Sequence, residues 1–232
     1  MKNIINNISE IKKSDKLIGY NDLFIKFEKL YLNKRLPKVI LLSGDKGIGK
    51  STLAFHFINY VLSINSKIPY DKDNFSINLN NEIYKKITIN VEQNFNFLKC
   101  EKPNIVSIDD IRQLKIKLSK TPLVNSPRFT IIDDIELINS NSANALLKLI
   151  EEPSDYDYFF LINNKCNDVI ETLISRSLEF KIFLSSGQKK LIFDYLKLHF
   201  QIEENFTHNY IQYTSPGNLI KFDPIINELE IT

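Results

Sequence analysis

Short apolar runs alternate along this chain with stretches in which apolar side chains recur every three or four residues. A helical lead from Asn21 to Asn33 precedes the unbroken run Val39-Ile40-Leu41-Leu42, which predicts a buried first strand from Pro37 to Ser43. From Ser51 to Leu62, the side chains of Ala54, Phe57, Ile58, Val61 and Leu62 fall at helical spacing. Residues 63 to 86 show little period and carry Pro69, several Asn and charged groups, so a loop-rich insertion is expected. Ile87 to Val91 and Phe95 to Leu98 are the candidates for a second strand. A helix is predicted to open at Ser107, whose hydroxyl can cap the amide near Asp110. Its buried stripe is Ile108, Ile111, Leu114 and Leu118, and Pro122 ends it. Phe129-Thr130-Ile131-Ile132 is a strand that runs into Asp133 and Asp134. Helix Ser142 to Glu151, strand Tyr158 to Ile162, a polar turn at Asn163 and Asn164, and a short helix ending at Ser175-Arg176 follow. Buried strands alternating with helices predict an α/β fold with a doubly wound parallel sheet. Gly187 to Phe200 then places Leu191, Ile192, Tyr195, Leu196 and Phe200 on one helical face, and short helices are expected from Glu203 to Tyr213 and from Pro216 to Glu228.

Composition narrows the function classes. A chain of 232 residues fits one to two domains, and 43% hydrophobic residues suffice for a sizeable core. The formal charge of +2 gives no whole-chain basic signature, so any contact with nucleic acid has to come from a local basic face or an assembly. Cys100, Cys166, His56, His199 and His208 are scattered, which argues against a zinc site or a disulfide framework. No run approaches the roughly 18 apolar residues of a membrane span, and no signal-peptide core forms, so a cytoplasmic protein without membrane contact is expected.

The candidate chemistry lies directly after the first strand. Gly44-Asp45-Lys46-Gly47-Ile48-Gly49-Lys50-Ser51 has the spacing of a phosphate-binding P-loop between a strand and a helix. Gly44, Gly47 and Gly49 let the backbone curl so that amides face phosphate oxygens. Lys50 reaches the terminal phosphates, the Ser51 hydroxyl can ligate magnesium, and Thr52 beside it is expected among the nucleotide-binding residues. The strand ending in Asp133 and Asp134 reads as a Walker B segment. Asp133 would hold magnesium with Ser51, and Asp134 would orient the attacking water, although two acids there could also cap the next helix. The cofactors expected are ATP and Mg.

The stretch from Ser142 through Glu151-Glu152-Pro153, followed by Thr172-Leu173-Ile174-Ser175-Arg176, closely resembles the clamp-loader branch of the AAA+ ATPases. Arg35-Leu36-Pro37, the glycine loop and Asn96-Phe97-Leu98 look most like its delta prime class, a subunit type of bacterial DNA polymerase III. The resemblance implies a P-loop AAA+ core over residues 1 to 183, with a parallel sheet flanked by helices, and a small helical lid domain over 184 to 232. The family's collar domain, about another hundred residues, is expected to be absent from this chain. It further implies that Asn164 is the polar residue that senses the terminal phosphate. Arg176 would be an arginine finger acting in trans on ATP held by a neighbouring subunit. The implied partners are other clamp-loader subunits and, through the assembled complex, the sliding clamp and primer-template DNA.

Two departures bear on catalysis. Asp134 stands where hydrolytic members carry Glu, so its carboxylate is one methylene short, and Asn218 stands where the family's lid presents an arginine. The expectation is a protein that binds ATP, hydrolyses it slowly or not at all, and contributes Arg176 to a partner. Two alternatives are an autonomous AAA+ motor acting on DNA and a P-loop small-molecule kinase. Arg112, Lys115, Lys117 and Lys120 form a basic helix face that tracks phosphates in a ring or is simply solvated. Tyr156, Tyr158, Phe159 and Phe160 read as strand core rather than as a base-stacking platform.

Overall fold

A computed structural model describes residues 14–100, 106–120, 126–200 and 214–218 of the chain. Its helices are α1 (Asn21–Leu32), α2 (Lys50–Ser63), α3 (Glu82–Thr88), α4 (Ile108–Ser119), α5 (Ser140–Ile150), α6 (Glu171–Ile174) and α7 (Ser186–Phe200). The strands are β1 (Val39–Ser43), β2 (Phe95–Lys99), β3 (Arg128–Asp133), β4 (Asp157–Asn163) and β5 (Leu178–Lys181), in the order β2-β3-β4-β1-β5. Every pairing is parallel. Parallel strands need covered faces, and alternation along each strand supplies two of them. Ile40, Leu42, Phe129, Ile131, Phe160 and Ile162 pack on one side with Phe24 and Phe27 of α1 and Leu53, Phe57 and Ile58 of α2. Val39, Leu41, Ile132, Phe159 and Leu161 pack on the other with Ile111 and Leu114 of α4, Leu146 and Ile150 of α5 and Leu173 of α6. Full burial of each such side chain contributes about 1.5–3 kcal/mol.

Polar contacts fix the ends of these elements. Ser107 and Asp110 form a reciprocal capping box on α4, as their spacing predicts. The cap of α5 is Asn139, whose side chain accepts from the Ser142 amide at 2.8 Å, so the acids at the end of β3 do not serve that role. Arg128, at the start of β3, is buried. It binds both oxygens of Asp157 at 2.7 and 3.0 Å and donates to the carbonyls of Leu118 and Lys120. The guanidinium thereby satisfies orphan carbonyls at the end of α4 while locking β3 to β4.

The structure corrects several expectations. The expected loop over 63–86 contains the start of α3, capped by Asn81, whose side chain accepts from the Tyr84 amide. Ile87 to Val91 is the end of that helix and a turn, not a strand: Ile87 is buried while Ile89 and Val91 are exposed. Strand β5 was not foreseen. Among the described side chains of α7 the fully buried one is Phe193, Leu191 faces outward at 63% exposure, and the side chain of Phe200 lies outside the described ones. Phe159 and Phe160 are core, while Tyr156 and Tyr158 are half-buried. Arg112, Lys115, Lys117 and Lys120 are exposed. The N-terminal residues 1–13, Pro122, the helix Glu203 to Tyr213 and all but residues 216–218 of the last helix lie outside the described residues, and those three are helical.

Candidate functional site

The carboxyl ends of β1, β4 and β3 lie side by side, at the point where the strand order reverses direction, and the candidate residues gather there. The chain leaves β1 at Ser43 into the glycine loop and enters α2 through Gly49. Gly47 and Gly49 have φ of +83° and +93°, in the left-handed region that an L side chain occupies only with strain. Gly44 is required for space instead: a Cβ there would lie 2.5 Å from the Ile182 carbonyl oxygen. Gly49 occupies the cap of α2 and brings no side-chain cap, so the first-turn amides are left for a ligand at the positive end of the helix.

Lys50 is buried, and its ammonium donates to the carbonyls of Gly44 at 2.8 Å and Asp45 at 2.7 Å. Burial pulls its pKa down to about 8, against the pull of Asp133, Glu136, Asp45 and Asp134, so it remains mostly charged at neutral pH. The Ser51 hydroxyl donates to Asp133 Oδ2 at 2.8 Å. Burial, and then the adjacent Asp134, push the Asp133 pKa up, against the hydrogen bond from Ser51. Asp134 is fully buried in a left-handed conformation (φ 55°, ψ 44°), which Asp tolerates better than most residues. Asn164 Nδ2 donates to Asp133 Oδ1 at 3.1 Å and Asp134 Oδ1 at 2.7 Å, and Lys46 Nζ lies 2.9 Å from the same Asp134 oxygen. Asp134 Oδ2 is buried and has no donor among the described residues. The donor set therefore suits a phosphate chain with a divalent cation: amides and two ammoniums for the anion, a hydroxyl and a carboxylate for the cation, and an open acceptor for a bound water.

A cleft of about 440 Å³, within the range of small-molecule sites, runs along this loop. Gly47, Gly49, Lys50, Ser51, Thr52, Asp133, Asp134 and Asn164 line it, and its other wall is apolar, from Leu17, Ile18, Tyr20, Ile192 and Leu196. That wall is joined across the chain by Gln188 to the Gly19 carbonyl at 3.1 Å and by the Tyr195 hydroxyl to Asp15 at 2.8 Å. Asn218 reaches the loop from beyond α7, and the Gly217 amide donates to the Gly47 carbonyl at 2.9 Å.

Arg176 does not join the group. It sits past the end of α6, is partly exposed, and donates from Nε to Glu151 at 2.8 Å and from a terminal nitrogen to the Thr172 carbonyl at 3.2 Å. Several participants were missed by sequence reasoning. Lys46 occupies a position of the glycine loop that the motif leaves unspecified. Tyr20 precedes α1, and its hydroxyl donates to the Ile48 carbonyl. Glu136, in the short 3₁₀ turn Ile135–Leu137, accepts from the Asn164 amide at 3.1 Å and so positions that residue. An acid three residues past Asp133 was the one available signal. Exposed Cys166 lies beside Asp134 and Glu136, and burial and those carboxylates push its thiol pKa up. Among the described residues, no helix is long and apolar enough to cross a membrane.

Comparison with known proteins adds an independent line. A family model described as DNA polymerase III, delta subunit matches residues 19–184. DNA polymerase III subunit gamma of Buchnera aphidicola subsp. Acyrthosiphon pisum is 29% identical over 163 residues, 70% of this chain and 42% of that protein. Subunit delta' of the same organism is 25% identical over 174 residues, 74% of this chain and 50% of that protein. The chain thus spans half or less of the length of these relatives. Among solved structures, a DNA polymerase III gamma subunit-related protein from Thermotoga maritima superposes with a TM-score of 0.52 at 17% identity, covering 89% of this chain and 62% of that one. The RuvB Holliday junction branch migration motor of the same organism gives 0.50 at 17% identity, over 83% and 56%. At such identities the structural likeness speaks for the fold alone.

Proposed function

Given that the chain belongs to the DNA polymerase III delta-subunit family of AAA+ clamp-loader proteins, we propose that it is a delta prime-like clamp-loader subunit that binds ATP with magnesium and supplies Arg176 to a neighbouring subunit. The observation that carries this reading is the separation of two devices. Lys50, Ser51, Asp133 and Asn164 converge on one cleft, while Arg176 stands at the surface away from it. Within the cleft, the α2 amides and Lys50 bind phosphates, Ser51 and Asp133 hold magnesium, and Asn164 orients the terminal phosphate or its water. Magnesium supplies charge neutralisation across the phosphate oxygens. Asp134 is a poor base here, being one methylene short of Glu and with its Oδ1 held by Asn164 and Lys46, so hydrolysis by this chain is slow.

Arg176 acts elsewhere. Its exposed pair with Glu151 is weak, on the order of 0–1 kcal/mol, so the guanidinium exchanges readily onto a phosphate of an adjoining protomer. There it offsets charge developing on the transferred phosphoryl group, an effect of about a thousandfold or more in related sites. The partners are the other clamp-loader subunits and, through them, the sliding clamp and primer-template DNA, in the cytoplasm. The test is ATP turnover by the isolated chain and by a clamp loader reconstituted from the same organism with wild-type or Arg176→Ala chain. A nearly silent isolated chain and a complex slowed by Arg176→Ala support the proposal. The intact loop and the Ser51–Asp133 pair also favour a second reading, an autonomous ATPase. Turnover by the isolated chain that Lys50→Ala abolishes and Arg176→Ala leaves alone would establish that reading instead.

A further inference from the structure

Resting on the reading of the cleft as a nucleotide site, we propose that Lys46 selects nucleoside triphosphate over diphosphate, as a second cation held at the terminal-phosphate end of the loop. The apolar wall formed by Leu17, Ile18 and Ile192 suits a base, and Ser51, Asp133, Asp134 and Asn164 gather into a second, polar end that suits the terminal phosphate. Lys46 Nζ is fixed at that second end, 2.9 Å from Asp134 Oδ1 and sharing this oxygen with Asn164 Nδ2. The end is rich in negative charge: Asp133, Asp134 and Glu136 are all buried there. A terminal phosphate arriving beside Asp134 meets a like charge, and Lys46, in direct contact with that carboxylate, screens it. Burial works against the ammonium, but the hydrogen bond and charge of Asp134 outweigh it and raise its pKa, so Lys46 stays cationic. Its side chain is 41% exposed, while that of Asp134 is 1% exposed, so the lysine is the member of the pair that an incoming phosphate can reach. A diphosphate that stops one phosphoryl group short makes no use of it.

The experiment measures the binding of a non-hydrolysable ATP analogue and of ADP, each with magnesium, to the full chain by calorimetry. Lys46→Ala should weaken the triphosphate about tenfold to a hundredfold, the worth of one charge-assisted hydrogen bond, and leave ADP within about twofold. Lys46→Arg should keep the discrimination. Asp134→Asn in the Lys46→Ala background should restore much of the lost triphosphate affinity, because the charge that needed screening is gone. A purely structural role for Lys46 predicts equal losses for both nucleotides and no rescue. Equal losses, or none, overturn the assignment of Lys46 while leaving the nucleotide site standing. If the wild-type chain binds neither nucleotide and Lys50→Ala changes nothing, the reading of the cleft itself fails.

Discussion

Acidification should weaken this fold through the buried imidazole of His56. His56, on α2, is fully buried, with Nδ1 3.0 Å from the Tyr70 hydroxyl and Nε2 3.1 Å from the Ser14 carbonyl oxygen. A neutral ring that carries its proton on Nε2 donates to Ser14 and accepts from Tyr70, so both nitrogens are satisfied without charge. Burial lowers the His56 pKa from 6.5 to about 4, although the Ser14 carbonyl and Asp15 favour the charged form. Between those values the unfolded chain binds a proton that the folded chain refuses. The stabilisation is therefore complete above pH 6.5 and is lost as the pH falls toward 4. The gap corresponds to about 3 kcal/mol in the limit and about 2 kcal/mol at pH 5. Urea unfolding at pH 7.5 and pH 5 should show wild type losing about 2 kcal/mol more than His56→Gln, which cannot take up the proton. Proton resonances of the imidazole, followed down to pH 4, give a check that does not depend on the variant folding well. An imidazole that titrates near 6.5, or equal pH dependence in the two proteins, would refute the argument. The effect reaches the cleft, because Ser14 belongs to the segment that walls it.

Arg128→Ala leaves Asp157 buried and unpaired and strands the carbonyls of Leu118 and Lys120; a loss of about 3–5 kcal/mol is expected by chemical denaturation. Gly44→Ala drives a methyl into the Ile182 carbonyl and Ile48, and should cost about 1–3 kcal/mol in stability and weaken nucleotide binding measured by calorimetry. Asn139→Ala removes the cap of α5, and thermal unfolding should register a loss of about 1 kcal/mol.

What could be read beforehand was local in origin. The glycine loop, the acid-ended strand and the Ser107 capping box each declare themselves within a dozen residues, and the structure shows them where the spacing puts them. Strand β5 escaped because it has four residues, three of them exposed, and exists only through its pairing with β1. Helix α3 escaped because its capping Asn81 is one of several asparagines in that stretch, and the β-branched Ile87, Ile89 and Val91 imitate a strand. In the site, residues within the loop and at the ends of strands were legible. Lys46, Tyr20 and Glu136 were not, since their roles arise from partners 28 to 88 positions away.

The hydrogen bond from the Gly217 amide to the Gly47 carbonyl joins two peptide groups, and a Cβ on either glycine would collide with the opposite segment. The loop is thus riveted by its main chain to a stretch near the other end of the sequence. If the peptide plane at Gly47 turns when a phosphate binds, that rivet must bend or break, so residues 214–218 would be informed of the loop's posture without any side chain as messenger. Any Cβ at either glycine would strain such a link, and Gly217→Pro, which also removes the donated amide, would cut it.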